Sequence, residues 1–172
     1  TIQTAIPGTY DHSAFVSYAK TTGNNLYFKN LCGGIKFSVS QEGIKEVAFR
    51  YTSGDIASGN IIVDVQKDSP ELYSWRTKSD EVIVHAPNNS CFEVGKYYYA
   101  VMYPSKNEHP ILVTYKKENT QASFLTKGNT VIRRSVFKRL YEKDKGLVFT
   151  PIRDGAIMTI TLPDGVDKTT IT

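Results

Sequence analysis

After residue 25, apolar and polar positions alternate in short runs along nearly the whole chain. Ile35, Phe37 and Val39 face one way while Lys36, Ser38 and Ser40 face the other, and Val47, Phe49 and Tyr51 alternate with Glu46, Ala48 and Arg50. A period of two is the signature of a half-buried strand. Further runs of this kind are Ile61–Val65, Glu81–Ala86, Ile111–Tyr115, Ala122–Leu125 and Leu147–Thr150. Turn chemistry separates them at Gln41-Glu42-Gly43, Ser53-Gly54-Asp55, Ser58-Gly59-Asn60 and Pro87 to Ser90, at the roughly 8- to 12-residue spacing of a sandwich. Tyr97 to Tyr103 is apolar or aromatic on both faces, which predicts a central strand covered on both sides. Ala14 to Ala19 reads as one strand, and the polar stretch 66–80, which holds Trp75, as a surface connection.

Two segments are less direct. Helical spacing places Ile132, Val136 and Leu140 on one helix face, whereas a strand over Val131 to Leu140 sorts its faces poorly. Strand with a following loop is favoured because the neighbouring runs are strands. Ala156 to Leu162 alternates again beyond what reads as the closing strand, as the start of a second module would. The expected organisation is a sandwich domain over residues 1–150 and a C-terminal extension over 151–172. No regular βαβ alternation occurs, so the fold class is all-β: an antiparallel, Greek-key-like sandwich with few or no helices. Within it, Cys32-Gly33-Gly34 joins two extended runs, and the Gly pair predicts either positive φ or a close backbone approach, as a bulge or a sheet-to-sheet crossing requires.

Composition agrees with this reading. The 172 residues are 40% hydrophobic and 22% charged, values of an ordinary soluble domain large enough to bury a core without metals or several disulfides. The eleven Tyr and eight Phe against one Trp lean towards strand formers. A net charge of +4, spread from Lys20 to Lys168 with one local cluster at 133–145, lacks the concentrated basic face of a nucleic-acid binder. No apolar run reaches the length of a membrane-spanning helix.

Candidate chemistry is sparse. His12, His85 and His109 share no metal spacing. Cys32 and Cys91 belong to no CxxC pair; they can bridge in an oxidising compartment or remain buried free thiols. GxSxG, P-loop, GxGxxG and HExxH patterns do not occur, and carboxylate pairs such as Asp80-Glu81 fall in turns. The reading is therefore non-enzymatic, with no cofactor. Aromatics offer a different function: Tyr97, Tyr99 and Tyr103 can stack on sugar rings, although alternation sends part of the run into the core, and Trp75 is the best single candidate for an exposed sugar or protein contact. Asn88-Asn89-Ser90 matches the N-glycosylation pattern, a match short enough to arise by chance.

Three stretches together resemble the fimbrillin family of fimbrial-subunit-like surface proteins in Bacteroides and related gut bacteria. They are Leu26 to Val39, Phe92 to Pro104 and Ile132 to Leu140, with Ile56-Ala-Ser-Gly59 where such domains commonly carry a Leu-Ala-Gly turn. The resemblance spans about Gln3 to Phe149. It implies a β-sandwich at the cell surface or outer membrane, held through a lipid anchor not carried in this chain and working in adhesion or pili. Its partners would be other fimbrial subunits or host and bacterial surface proteins, with glycans as the alternative ligand and no nucleic acid. Related subunits polymerise when a groove in one accepts a strand from the next. The family also implies further strands ahead of Gln3, missing here or supplied from elsewhere.

Overall fold

The computed structural model describes residues 1–64, the backbone of 71–75, and residues 77–127 and 130–152. In chain order the strands are β1 (Ile2–Thr4), β2 (Ser17–Ala19), β3 (Phe28–Asn30), β4 (Gly33–Ser38), β5 (Glu46–Tyr51), β6 (Ile61–Asp64), β7 (Glu71–Trp75), β8 (Glu81–His85), β9 (Tyr98–Met102), β10 (Ile111–Lys116), β11 (Thr120–Leu125), β12 (Phe137–Tyr141) and β13 (Thr150–Pro151). A single 3₁₀ turn at Pro87–Asn89 is the only helical element among the described residues. The large sheet has the order β1-β8-β5-β10-β11-β13 and the small sheet the order β12-β4-β9; β2–β3 and β6–β7 are separate two-stranded ribbons. The fold is thus an all-β sandwich. Its pairings are mostly antiparallel, and the two parallel ones, β1 with β8 and β12 with β4, lie at sheet edges.

Alternation decides which side chains fill the space between the sheets. In the large sheet, Val47 and Phe49 sit in register with Val84 and Val82 on one side and with Tyr115 and Val113 on the other. In the small sheet, Ile35 and Phe37 are in register with Ala100 and Tyr98. All of these belong to one buried cluster. Phe37 bridges the layers, with its ring centroid 5.3 Å from Phe49 and 5.6 Å from Phe92. Each Val, Ile or Phe among them contributes about 1.5–3 kcal/mol by leaving water.

The Cys32-Gly33-Gly34 stretch is not a hinge. Neither glycine has a positive φ; both lie inside β4. They are glycines because backbone presses on them: a Cβ on Gly33 would lie 1.9 Å from the Arg133 carbonyl oxygen, and one on Gly34 would lie 1.9 Å from that of Ala100. Several expected elements are shorter or placed differently. Only Ser17–Ala19 of the 14–19 run is strand, and 71–75 forms β7 where a connection was expected. Of 131–140, only the part from Phe137 onward is strand, while Ile132 is buried in the loop ahead of it. Leu147 and Phe149 pack against the core from a loop, and strand pairing begins at Thr150. Tyr98–Met102 is an edge strand; β4 is the central one. Val65 and the 156–162 run lie outside the described residues.

Two buried polar side chains substitute for missing ladder bonds. Gln3, 3% exposed, donates through Nε2 to the Val101 carbonyl at 2.7 Å and accepts the Val101 N–H at 2.9 Å. It therefore covers the outer edge of β9 as a neighbouring strand would. The same edge is also held by the Tyr103 N–H on the Ala57 carbonyl and by the Gly8 N–H on the Tyr97 carbonyl, both 2.8 Å. At the far end of β4, the fully buried Asp144 carboxylate accepts the N–H groups of Ser40 (2.8 and 2.9 Å) and Gln41 (2.7 Å).

Candidate functional site

Among the described residues the opposite seam of the sandwich is open. Within them β12 pairs only with β4, and between it and the β10–β11 pair runs a groove of about 510 Å³. Its apolar lining is Phe124, Leu125 and Leu140, reaching down to the core residues Ile35 and Ile111. Leu125 is 55% exposed. Register explains this arrangement: Lys138 and Leu140 are partners of Ile35 and Phe37, so both project from the core-facing side of β12, where no further strand among the described residues covers them. The rim is cationic, formed by Lys127, Lys138, Arg139 and Lys143, and none of the lining residues is acidic. Such a site suits an extended segment, taking main-chain hydrogen bonds on the β12 edge and apolar side chains between the layers.

The outward face of the small sheet is the second notable surface. Phe137, Arg139 and Tyr141 of β12, Lys36 of β4 and Tyr99 of β9 share it by register, joined by Tyr97 just ahead of β9. The Lys36 ammonium lies 4.4 Å from the centroid of the Tyr97 ring and 5.5 Å from that of Tyr99. A hydrogen bond with Tyr99 and the neighbouring phenols hold its pKa above the usual lysine value, against some desolvation. Tyr97 and Tyr141 meet across β4 at 4.9 Å with their planes inclined by 52°. Tyr99 stands edge-on to Phe137 at 88°.

Among the aromatic candidates, the structure brings Tyr97 and Tyr99 together on this face. Tyr103 is excluded: it is 7% exposed and packed with Leu31, Cys32 and Val101, so it cannot meet a ligand. Trp75 ends β7 opposite Ile61, away from the tyrosines in pairing, and its side chain lies outside the described residues. The exposed rings are mutually inclined, so they do not form a flat sugar platform.

Cys32 and Cys91 are both free. Cys32 immediately precedes β4, whereas Phe92, beside Cys91, bonds Ile44 beyond the other end of that strand. The roughly 20 Å length of a six-residue strand separates them, well beyond the approximately 7 Å Cα limit of a bridge. Of the two alternatives open in sequence, a bridge or free thiols, the structure places the pair as free thiols. Burial pushes the Cys32 thiol up, outweighing a hydrogen bond from the Val16 backbone and the Arg134 charge, as in an inert structural cysteine.

The histidines sit on separate elements: His12 beside Tyr10, His85 3.7 Å from Glu46, and His109 in a backbone bridge with Thr130. No group of three or more metal-ligating side chains occurs among the described residues, and no helix among them is long and apolar enough to cross a membrane. A second cleft, about 650 Å³, lies beside β9 and is lined by Cys32, Ile61, Val63 and Val101 among others. Its buried polar side chains are already engaged, Gln3 with Val101 and Ser58 with the Glu81 carbonyl. The groove and Lys36 were not legible as sites in sequence, because pairing across distant strands creates both. No protein-family model matches the chain, and comparison with curated proteins and with solved structures finds no match.

Proposed function

We propose that the chain is a non-enzymatic cell-surface module of the adhesin or fimbrial-subunit kind, which joins another subunit by accepting an extended strand in the β11–β12 groove. On this reading it acts outside the cell, at the outer membrane or in a fimbrium, without a cofactor. The observation that carries the proposal is the contrast between seams. One edge of the small sheet is covered by Gln3, Gly8 and Ala57, while the outer edge of β12, beside an apolar cleft, has no partner strand among the described residues. An uncovered edge next to exposed Leu125 is the arrangement that natural sheets otherwise avoid. A donated strand would cover Phe124, Leu125 and Leu140, each worth about 1.5–3 kcal/mol on full burial.

Sedimentation velocity over a concentration series tests the proposal, together with binding of a synthetic alternating Val-Thr octapeptide. Concentration-dependent assembly or peptide binding is expected, and Leu140→Asp should abolish it while leaving the circular dichroism spectrum unchanged. A chain that stays monomeric at high concentration and ignores the peptide refutes the proposal.

A further inference from the structure

The two outward sheet faces treat their cations differently. On the large sheet each outward cation among the described strand residues meets a carboxylate. Lys116 lies 2.6 Å from Glu46, with His85 on the other side of the same glutamate, and Arg50 lies 3.6 Å from Glu81 and 3.7 Å from Asp80. On the small sheet the corresponding row reads Arg139–Lys36–Tyr99. Two cations stand directly opposite each other, a pairing that destabilises a sheet. None of the outward residues Phe137, Arg139, Tyr141, Lys36, Tyr97 and Tyr99 is acidic, and Lys36 has no ion-pair partner among the described residues. Two phenol rings, Tyr97 and Tyr99, flank its ammonium, so it is held in place by cation–π contact. A fixed, partly shielded cation beside a second one is poised for an anion that this chain does not supply.

We propose that this face binds a carboxylated sugar, a pyranose of the uronic- or sialic-acid class. Its carboxylate would bridge Lys36 and Arg139, and the C–H face of its ring would lie on Tyr97, which is 45% exposed. The inclined Tyr141 ring walls the site, and the phenol hydroxyls supply partners for sugar hydroxyls. A sugar fits better than an acidic peptide because Lys36 lies on the central strand, whose backbone is paired on both sides. A peptide laid across this face would find no main-chain partners there, whereas a ring with an apolar face and a charged substituent uses what the surface offers. The site meets the groove only at Arg139, which also belongs to the groove's rim; its ligand contacts a face, not an edge.

Isothermal titration calorimetry with trigalacturonate and with sialyllactose, against neutral galactotriose and against triglutamate, tests the proposal. The acidic sugars are expected to bind at least about tenfold more tightly than either control, the difference made by one charge-assisted contact. Lys36→Met and Arg139→Gln should each weaken them about tenfold. Lys36→Arg should retain most of the affinity, Tyr97→Ala should lose it, and Lys106→Gln, a cation elsewhere on the surface, should change nothing. Thermal melts of the variants guard against misfolding. Equal binding of galactotriose, equal binding of triglutamate, no acidic-sugar binding, or full affinity in Lys36→Met would each overturn the proposal.

Discussion

Replacing Asp144 tests how the wall of the groove is held. Its buried carboxylate takes both N–H groups that leave the end of β4, from Ser40 and Gln41, at 2.7–2.9 Å. Gln41 returns the contact by donating Nε2 to the Asp144 carbonyl at 2.7 Å. Asp144 follows β12 in sequence, so this exchange ties the edge strand to the central one beyond the last ladder bond. Asp144→Ala removes both charge-assisted acceptors and leaves two donors without partners. At about 1–3 kcal/mol for each orphaned group, and with Ser40 and Gln41 only partly buried, the expected loss is about 2–4 kcal/mol. Asp144→Asn keeps one oxygen and should cost about half as much. In urea, with a slope near 2 kcal/mol/M, the alanine variant should unfold about 1–2 M earlier. Hydrogen exchange should show lost protection at the Ser40 and Gln41 amides before the centre of β5. A midpoint unchanged from the parent, or identical losses for Ala and Asn, would show that the carboxylate is not the clamp.

Other expectations follow from the same geometry. Gly34→Ala forces a Cβ against the Ala100 carbonyl and the Phe137 ring, so thermal melts should show a loss of roughly 3–5 kcal/mol or no folded protein; a melt like the parent's would refute the packing account. Gln3→Ala orphans the Val101 N–H and C=O and should cost about 2–3 kcal/mol in denaturant titrations, with Gln3→Glu at least as damaging because a carboxylate oxygen then faces the carbonyl. For Asp11, partial burial acts to raise the pKa, but hydrogen bonds from Thr4 and Ser13 and the charge of His12 outweigh it, so the folded value lies below the unfolded one. Its contribution is thus present above the unfolded carboxylate pKa and is lost as pH falls through the lowered folded value. The stability gap to Asp11→Asn should close over that acid range, and a constant gap would contradict the assignment. If the groove accepts a strand, an apolar–Glu alternating peptide should bind it about tenfold more tightly than an apolar–Lys peptide at low salt, with the ratio shrinking as salt rises.

Legibility in the sequence followed the range of the interactions. The rows Ile35-Phe37-Val39 and Val47-Phe49-Tyr51 announced strands because alternation is local, and the core is built from them. The run Glu142-Lys143-Asp144-Lys145 reads as solvated charge, yet Asp144 is fully buried, because its partners lie about a hundred residues earlier in the chain. Gln3 was unremarkable for the same reason: its role depends on Val101. The glycine pair was half legible. The need for close approach was visible, but not that an oxygen of Arg133 or Ala100 would supply it. Tyr98–Met102 misled because apolar residues on both faces indicate cover, not position in the sheet. Its outward side is covered at one end by Tyr10, Ala14 and Phe15 of the preceding segment, not by flanking strands.

The cations of β12 join these observations physically. A free edge beside an apolar cleft invites pairing with any exposed strand, including the same edge of another copy. Lys138 and Arg139 on that edge, with Lys127 and Lys143 at the groove, oppose edge-to-edge association because two such rims repel one another. Repulsion between identical edges does not oppose a donor that is neutral or acidic, so charge makes the edge selective without closing it. The same distribution leaves Arg139 beside Lys36 with no carboxylate among their outward neighbours, whereas the large sheet neutralises each of its outward cations. A surface that had only to remain soluble could have used the large sheet's solution on both faces. Outward cations without a carboxylate partner instead gather on the small sheet and its seam, where neither the aromatic face nor the groove is occupied by the described part of the chain.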